Sequence, residues 1–328
     1  MDANVSGEVT VGILSDIHYA GAAERARGED YELRAITNPL LRVCARAFRH
    51  GVWMRHPLDQ GQQLERFLAD VGPVDYLVAN GDYSCDTGFV GVSDPAACQS
   101  AQECLDKLRA KFSDRVQFVI GDHELGKQAL FSRGEMQLAS WRTATVTLGL
   151  PRFWQLNLGR YTLMGLTSSL LALPAYQLDT FAVEWPEWLR LREAHLAEIH
   201  GAFEALPPNQ RVILFCHDPT ALPFLVREEV VRRRLPQIEQ TIIGHLHTQL
   251  VLWKSRVLSG IPPIRFLGQA VNRMTSALHE AHHWRSFHVR LCPALSGIEL
   301  LNDGGYFTMQ IDPAAGHRAR FAFHPLPR

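Results

Sequence analysis

Five short apolar runs in this chain each stop at a turn that carries Asp or His, and that recurrence limits the folds open to it. Residues 8–14 lead into Ser15-Asp16-Ile17-His18, and 74–79 lead into Asn80-Gly81-Asp82. Residues 116–120 lead into Gly121-Asp122-His123-Glu124, 211–216 into His217-Asp218, and 241–243 into Gly244-His245-Leu246-His247. Continuous apolar runs of this length suit strands buried on both faces. Helical patterns fall between several of them: 62–69, stopped by Gly72-Pro73; Pro95–Phe112; 185–206, with Pro186 in its first turn and Pro207-Pro208 at its end; and 222–235, stopped by Pro236. Alternating strand and helix predicts an α/β fold with helices over both faces of a sheet. Such sheets bind ligands at the carboxyl ends of their strands, where these polar turns lie.

After His247 the pattern changes. Residues 250–253, 264–267, 287–291 and 306–311 read as strands without long helices between them, and Gly304-Gly305 marks a turn. The expectation is a two-sheet β-sandwich core flanked by helices, with strands from 249–328 completing the second sheet. No repeat or linker interrupts the chain, so residues 1–328 read as a single domain. A long segment, 19–61, separates the first two turns and is expected to form a helical cap or insertion. Within it, 39–53 reads as a helix. Leu40, Leu41, Cys44, Ala47, Phe48 and Val52 share one broad face, and Arg42, Arg46, Arg49 and His50 lie largely on the other. The plain expectation is a surface helix with its apolar face on the core. The sharper ones are a cap over the site, or a helix lying on anionic membrane.

Lys+Arg number 33 against Asp+Glu 34, so bulk electrostatic binding of nucleic acid is not expected. Residues 1–8 hold no apolar signal core, and no apolar run is long enough to span a bilayer. The six cysteines show no CxxC spacing and are expected as free thiols; Cys216, beside His217, is expected as a small apolar filler. Together these predict a cytoplasmic protein, with peripheral contact at the inner membrane face as a weaker expectation.

Taken singly, each polar turn is weak evidence, because Asp and Gly-Asp are common in turns. Their joint occurrence after five strands is not, because parallel neighbours would bring all five to one edge. Asp16, His18, Asp82, Asp122, His217, His245 and His247 offer four imidazoles and three carboxylates with no thiolate. That set suits Mn, Fe, Zn or Ni and is too rich in nitrogen for Mg or Ca alone. A shared carboxylate can hold two cations about 3.5–4 Å apart, a pair suited to phosphoryl chemistry.

Asp16-x-His18, Gly81-Asp82, Gly121-Asp122-His123-Glu124, His217 and Gly244-His245-x-His247 resemble the signature of the calcineurin-like metallophosphoesterases. The likeness runs over residues 9–248, in the family's order. It implies a four-layer α/β/β/α fold and two divalent metals, Mn foremost. It further implies Asp16, His18 and His247 on the first metal, Asp82 bridging, and Asp122, His217 and His245 on the second. His123 would not ligate; it would protonate the leaving oxygen, with metal-bridging hydroxide as nucleophile.

The sequence departs from that pattern in two places. Asp122 stands where the family usually has Asn, which should bind the second metal more tightly and weaken it as a Lewis acid. Cys85 stands three places after Asp82, where an acid or amide is common. Asp86 or Glu124 could orient His123 instead, or Glu124 could be a helix N-terminal residue. Asp218 reads equally as a partner of a ligand histidine or as a turn residue before Pro219. Arg46, Arg133, Arg142 and Arg273 are candidate phosphate contacts. His279, His282 and His283 are expected as a polar loop, with a further metal site or a substrate contact as the alternatives.

The expected activity is hydrolysis of a phosphomonoester or phosphodiester. The likeness leaves two alternatives: a nucleotide-pyrophosphate hydrolase on a lipid-linked substrate such as UDP-diacylglucosamine, and a non-catalytic scaffold. The expected partner is a phosphoester-containing small molecule or a nucleotide- or lipid-linked substrate, with weak membrane-surface contact.

Overall fold

Eleven strands form the two sheets of a computed structural model that describes residues 2–3, 7–85, 90–126, 136–247, 253, 259–260, 279–298 and 301–326. They are β1 (Asp2–Ala3), β2 (Val9–Leu14), β3 (Tyr76–Ala79), β4 (Val116–Phe118), β5 (Phe153–Leu158), β6 (Tyr161–Leu166), β7 (Arg211–Cys216), β8 (Ile238–Ile243), β9 (Val289–Leu291), β10 (Gly305–Ile311) and β11 (Arg320–Pro325). One sheet has the order β1-β5-β6-β7-β8-β9 and the other β11-β10-β2-β3-β4. Strands β2, β3 and β4 run parallel in one sheet, and β6 to β9 run parallel in the other. The carboxyl ends of β2, β3, β4, β7 and β8 lead into the five polar turns.

Burial on both faces explains the continuous apolar runs. Along β7, Ile213 and Phe215 join the core between the sheets, with Val9, Val11, Ile13, Trp154 and Ile242. Val212, Leu214 and Cys216 face the other way, into the core under the helices. Helices Gly61–Asp70 and Pro95–Phe112 supply Leu64, Phe67, Leu105 and Leu108 to that outer core, and Trp185–Glu204 supplies Trp188, Ile199 and Phe203. Pro95–Phe112 starts where Asp94 accepts the amides of Ala96 and Ala97, with Pro95 in its first turn. All six cysteines are free thiols, and Cys216 is buried filler at the end of β7. The α/β two-sheet sandwich flanked by helices is therefore the observed architecture.

Several local expectations are corrected. The C-terminal strands do not complete one sheet: β9 extends the first, while β10 and β11 extend the second. The helix expected over 222–235 is two short helices, Leu222–Leu225 and Glu229–Arg234. It breaks at Glu228, whose backbone is extended and whose carboxylate pairs with His200 of the long helix at 2.9 Å. The strand expected from 287 starts only at Val289, because His288 takes a left-handed conformation after a 3-10 turn over Ala281–Phe287. The β5–β6 hairpin and β11 carried no strong sequence signal. The expected strand 264–267, and all of 250–253 except Trp253, lie outside the described residues.

The segment 19–61 is largely helical, and its main helix is Pro39–Phe48, followed by a π-turn over Arg49–Trp53. No residue of Pro39–Phe48 is buried, which overturns the expectation that its apolar face packs on the core.

Phe215 is fully buried and its ring lies 5.7 Å from that of Trp154, on the inner face of the same sheet. Phe215→Ala is expected to cost about 3–5 kcal/mol in urea unfolding. His195, buried on the long helix, accepts the Thr167 amide through Nε2 at 3.2 Å, and burial lowers its pKa from 6.5. Below that value the unfolded chain takes up a proton that the folded chain resists, so His195 contributes stability that falls as pH drops. Stability measured from about pH 8 to about pH 5 should decline less steeply in His195→Gln than in wild type.

Candidate metal centre

The five turns after β2, β3, β4, β7 and β8 meet at one edge, with three coming from one sheet and two from the other. Backbone bonds stitch them together. The Asp16 amide donates to the Gly81 carbonyl at 3.1 Å, those of Ile17 and His18 to the Asp82 carbonyl, and that of Gly244 to the His217 carbonyl at 2.9 Å. The His245 amide donates to the Asp16 carboxylate at 3.1 Å.

The backbone at this edge is unusual. Asp16, His18, Asp82, His245 and His247 all have positive φ, between 50° and 61°. Non-glycine residues rarely adopt this left-handed region, and such strain gathers at functional sites. It turns the side chains back over the strand ends, towards one another. Gly81 has φ 93°, and a Cβ there would lie 2.7 Å from both the Gly121 Cα and the His217 Nδ1. No other residue lets the Asp82 and Asp122 turns approach so closely.

The seven side chains named from the sequence converge. Asp16, His18 and His247 each offer one ligand atom within 4.8 Å of the others, and so do Asp122, His217 and His245. Asp82 joins groups on both sides, one with His18 and His123 and one with Asp16 and His217. The His217 Nε2 lies 3.0 Å from Asp82 and 3.1 Å from Asp122, and His245 Nδ1 lies 2.9 Å from Asp122. His247 Nε2 is 3.2 Å from Asp16, and its ring stacks on His18 at 5.3 Å. Asp16, Asp82 and Asp122 are fully buried.

Three observations fit this cluster to cations. His18 Nε2 is buried and has no hydrogen-bond partner. His217 Nδ1 bonds the Asn80 carbonyl at 2.5 Å, which fixes the ring so that Nε2 points at the Asp82 and Asp122 carboxylates. Four imidazoles and three carboxylates without a thiolate suit borderline divalent metals. Burial, and then the neighbouring His123 and His247, lower His18 to about 3. Burial likewise lowers His247 to about 3, against the pull of Asp82. Both rings are neutral and able to ligate. Burial acts to raise Asp82, but His123 and His217 outweigh it and hold that carboxyl well below its usual range. Burial alone would lower His217, yet Asp82 and Asp16 override it and push it well up.

His123 sits at the rim, nearly buried. Its amide donates to Asp82 Oδ1 at 3.1 Å, and its Nε2 lies 3.9 Å from Asp82 Oδ2. The Glu124 carboxylate accepts the amides of Gly121 at 2.8 Å, Asp82 at 3.0 Å and Tyr83 at 2.8 Å, so it clamps the second and third turns together. Burial, and then the charge of Asp82, raise Glu124 to about 7. Asp218 caps the turn that follows it, accepting the Thr220 amide at 2.8 Å, and accepts the Tyr176 hydroxyl at 2.6 Å. Arg46 pairs with Asp30 at 2.9 Å on the exposed helix. Asp86, Arg133 and Arg273 lie outside the described residues. Glu280 pairs with Arg227 and His283, and among the described residues every metal-capable group belongs to the one centre.

Sequence reasoning missed two supporting residues. The Ser15 hydroxyl donates to Asp16 Oδ2 at 2.5 Å, and Asn80 holds His217 through its carbonyl. Their positions directly before Asp16 and Gly81 were the only signal.

A buried His/Asp centre at the strand ends of a two-sheet sandwich defines a metal-binding α/β protein. The family model described as calcineurin-like phosphoesterase matches residues 9–249, and the chain belongs to that family. Among solved structures it is similar to the phosphopantetheinyl hydrolase PptH from Mycobacterium tuberculosis, with 16% identity over 74% of this chain and 84% of that one, at a TM-score of 0.36. It is also similar to a conserved uncharacterized protein, a predicted phosphoesterase, from Streptococcus pneumoniae TIGR4, with 11% identity over 98% of this chain and 100% of that one, at a TM-score of 0.27. No curated protein matches the chain.

Glu124→Ala would leave three buried amides without an acceptor. It is expected to weaken metal binding about 10–100-fold, read by titration of the apo protein with Mn. It should also cost on the order of 1–3 kcal/mol in unfolding experiments.

Proposed function

We propose that this protein hydrolyses phosphoesters, mono- or diesters, at a two-metal centre. Asp16, His18 and His247 hold the first cation, Asp82 is shared, and Asp122, His217 and His245 hold the second. The observation that carries this reading is the meeting of all seven side chains, from five turns, around the buried Asp82 carboxylate. Divalent cations there supply Lewis-acid clamping of phosphoryl oxygens and a water of lowered pKa. Manganese is the foremost metal, with iron, zinc and nickel as alternatives.

The chain's own residues do the rest. Asn80 and Ser15 fix the orientation of His217 and Asp16. Glu124 holds the Asp82 turn against the Asp122 turn. His123, at the rim beside Asp82, delivers a proton to the leaving oxygen. A scaffold that had given up catalysis would have no use for this set of buried ligands in strained conformations. Free thiols fit a reducing compartment such as the cytoplasm.

Hydrolysis of bis-p-nitrophenyl phosphate or p-nitrophenyl phosphate should require added Mn or a similar cation. It should collapse in Asp82→Asn and His245→Ala proteins whose circular dichroism matches wild type. Unchanged turnover in those variants would rule out the centre. His123→Asn should retain its metals and lose about 10²–10⁴-fold in kcat on an alkyl ester, with a smaller loss on p-nitrophenyl esters, whose leaving group needs no proton.

A further inference from the structure

The helix Pro39–Phe48 is built the wrong way round for a helix that serves only the core. Its apolar residues Leu40, Val43, Cys44, Ala47 and Phe48 fall at i, i+3, i+4, i+7 and i+8, the spacing of a stripe that normally packs inward. All five face solvent, and Leu40 is 74% exposed, Val43 64% and Phe48 54%. The side towards the protein carries instead the half-buried Leu41 and Ala45. The helix is nevertheless well made: Asn38 caps it by accepting the amides of Leu40 and Leu41, with Pro39 in the first turn. It is held down at its flanks. Arg42 donates to the Ile36 carbonyl at 2.9 Å, and Arg46 pairs with Asp30. Arg49 reaches the Cys85 sulfur at 3.7 Å.

Charge selects the occupant of this face. From Leu33 to Leu58 the chain has five arginines (Arg34, Arg42, Arg46, Arg49 and Arg55) and no acidic residue; Asp30, just before it, pairs with Arg46, and Glu29, Glu32 and Asp59 also flank it, so the excess of positive charge is small but local. Arg34, Arg42, Arg46 and Arg55 are exposed. A second copy of the chain seated symmetrically on the stripe would bring two such basic segments together, and their repulsion opposes pairing. An anionic surface that also accepts apolar side chains meets both halves of the pattern, and a bilayer of anionic lipid is such a surface. A ten-residue helix about 15 Å long can lie in the interface but cannot cross it.

The helix is also anchored beside the metal centre. Cys85, which Arg49 touches, lies three residues after Asp82 and is buried with Ala20 and Leu58. Ser84 bridges Tyr19, the residue after His18. We propose that Pro39–Phe48 is an interfacial docking element that lays its exposed apolar stripe in an anionic lipid surface, so that the metal centre works on phosphoesters embedded there. The docking stands on the helix alone; the substrate class rests on the hydrolase reading above.

The test uses the full-length protein and a Leu40→Ser/Val43→Ser/Phe48→Ser variant, whose changes are all at exposed positions. Co-sedimentation with phosphatidylcholine vesicles containing about one third phosphatidylglycerol should be about ten-fold stronger than with phosphatidylcholine alone, and should weaken as salt is raised. The variant should lose about ten-fold in vesicle binding with unchanged thermal unfolding. Turnover of hexadecyl p-nitrophenyl phosphate in the same vesicles should fall with binding, while turnover of soluble bis-p-nitrophenyl phosphate stays the same. Equal binding by the two proteins, or no preference for anionic vesicles, overturns the docking. A wild type that sediments as a dimer, with the variant a monomer, overturns it in favour of a second copy. Vesicle binding without hydrolysis of either ester leaves the docking standing and overturns the hydrolase reading.

Discussion

Three aspartates with no solvent exposure, Asp16, Asp82 and Asp122, crowd one small volume with the equally buried Glu124 beside them. Removing several like charges from water together costs several kcal/mol per ion unless opposite charge meets them. The histidines answer part of that need, with His217 within about hydrogen-bonding reach of Asp82 and Asp122. Divalent cations, which such a cluster could hold, would answer the remainder. The arrangement of the two sheets, the tight glycine contacts and the left-handed backbone follow from holding these repelling groups at close quarters.

The sandwich supplies the rigidity that this demands. Its middle layer is packed from both sheets, by Val11, Ile13 and Val78 on one side and Ile213, Phe215 and Ile242 on the other. Ligand turns from the two sheets therefore stand in a fixed relation. Five non-glycine residues with positive φ persist only where such surroundings over-determine them. Glu124 is part of the same support. It spans the turns after β3 and β4 by accepting amides from both, and so sets where Asp82 lies.

The insertion after the first motif follows a different logic. Most helices here bury one side in the outer core, but Pro39–Phe48 buries none of its residues. Its order comes from an N-cap, a few arginine contacts and two half-buried side chains. A short helix held so lightly spends its apolar stripe on something other than the fold.

The residue types, their order and their attachment to strand ends could be read from the chain alone. Apolar runs that stop at Asp or His leave few other arrangements, and parallel pairing brings such ends to one edge. The seven clustered residues and the helix Pro95–Phe112 were legible for that reason. What depended on distant partners was not. The Asp82 and Tyr83 amides that Glu124 clamps, and the Tyr176 hydroxyl that Asp218 accepts, are partners far away in sequence. The direction of the Pro39–Phe48 stripe is the clearest case: periodicity defines an apolar face, but only packing decides whether that face meets the core or the solvent.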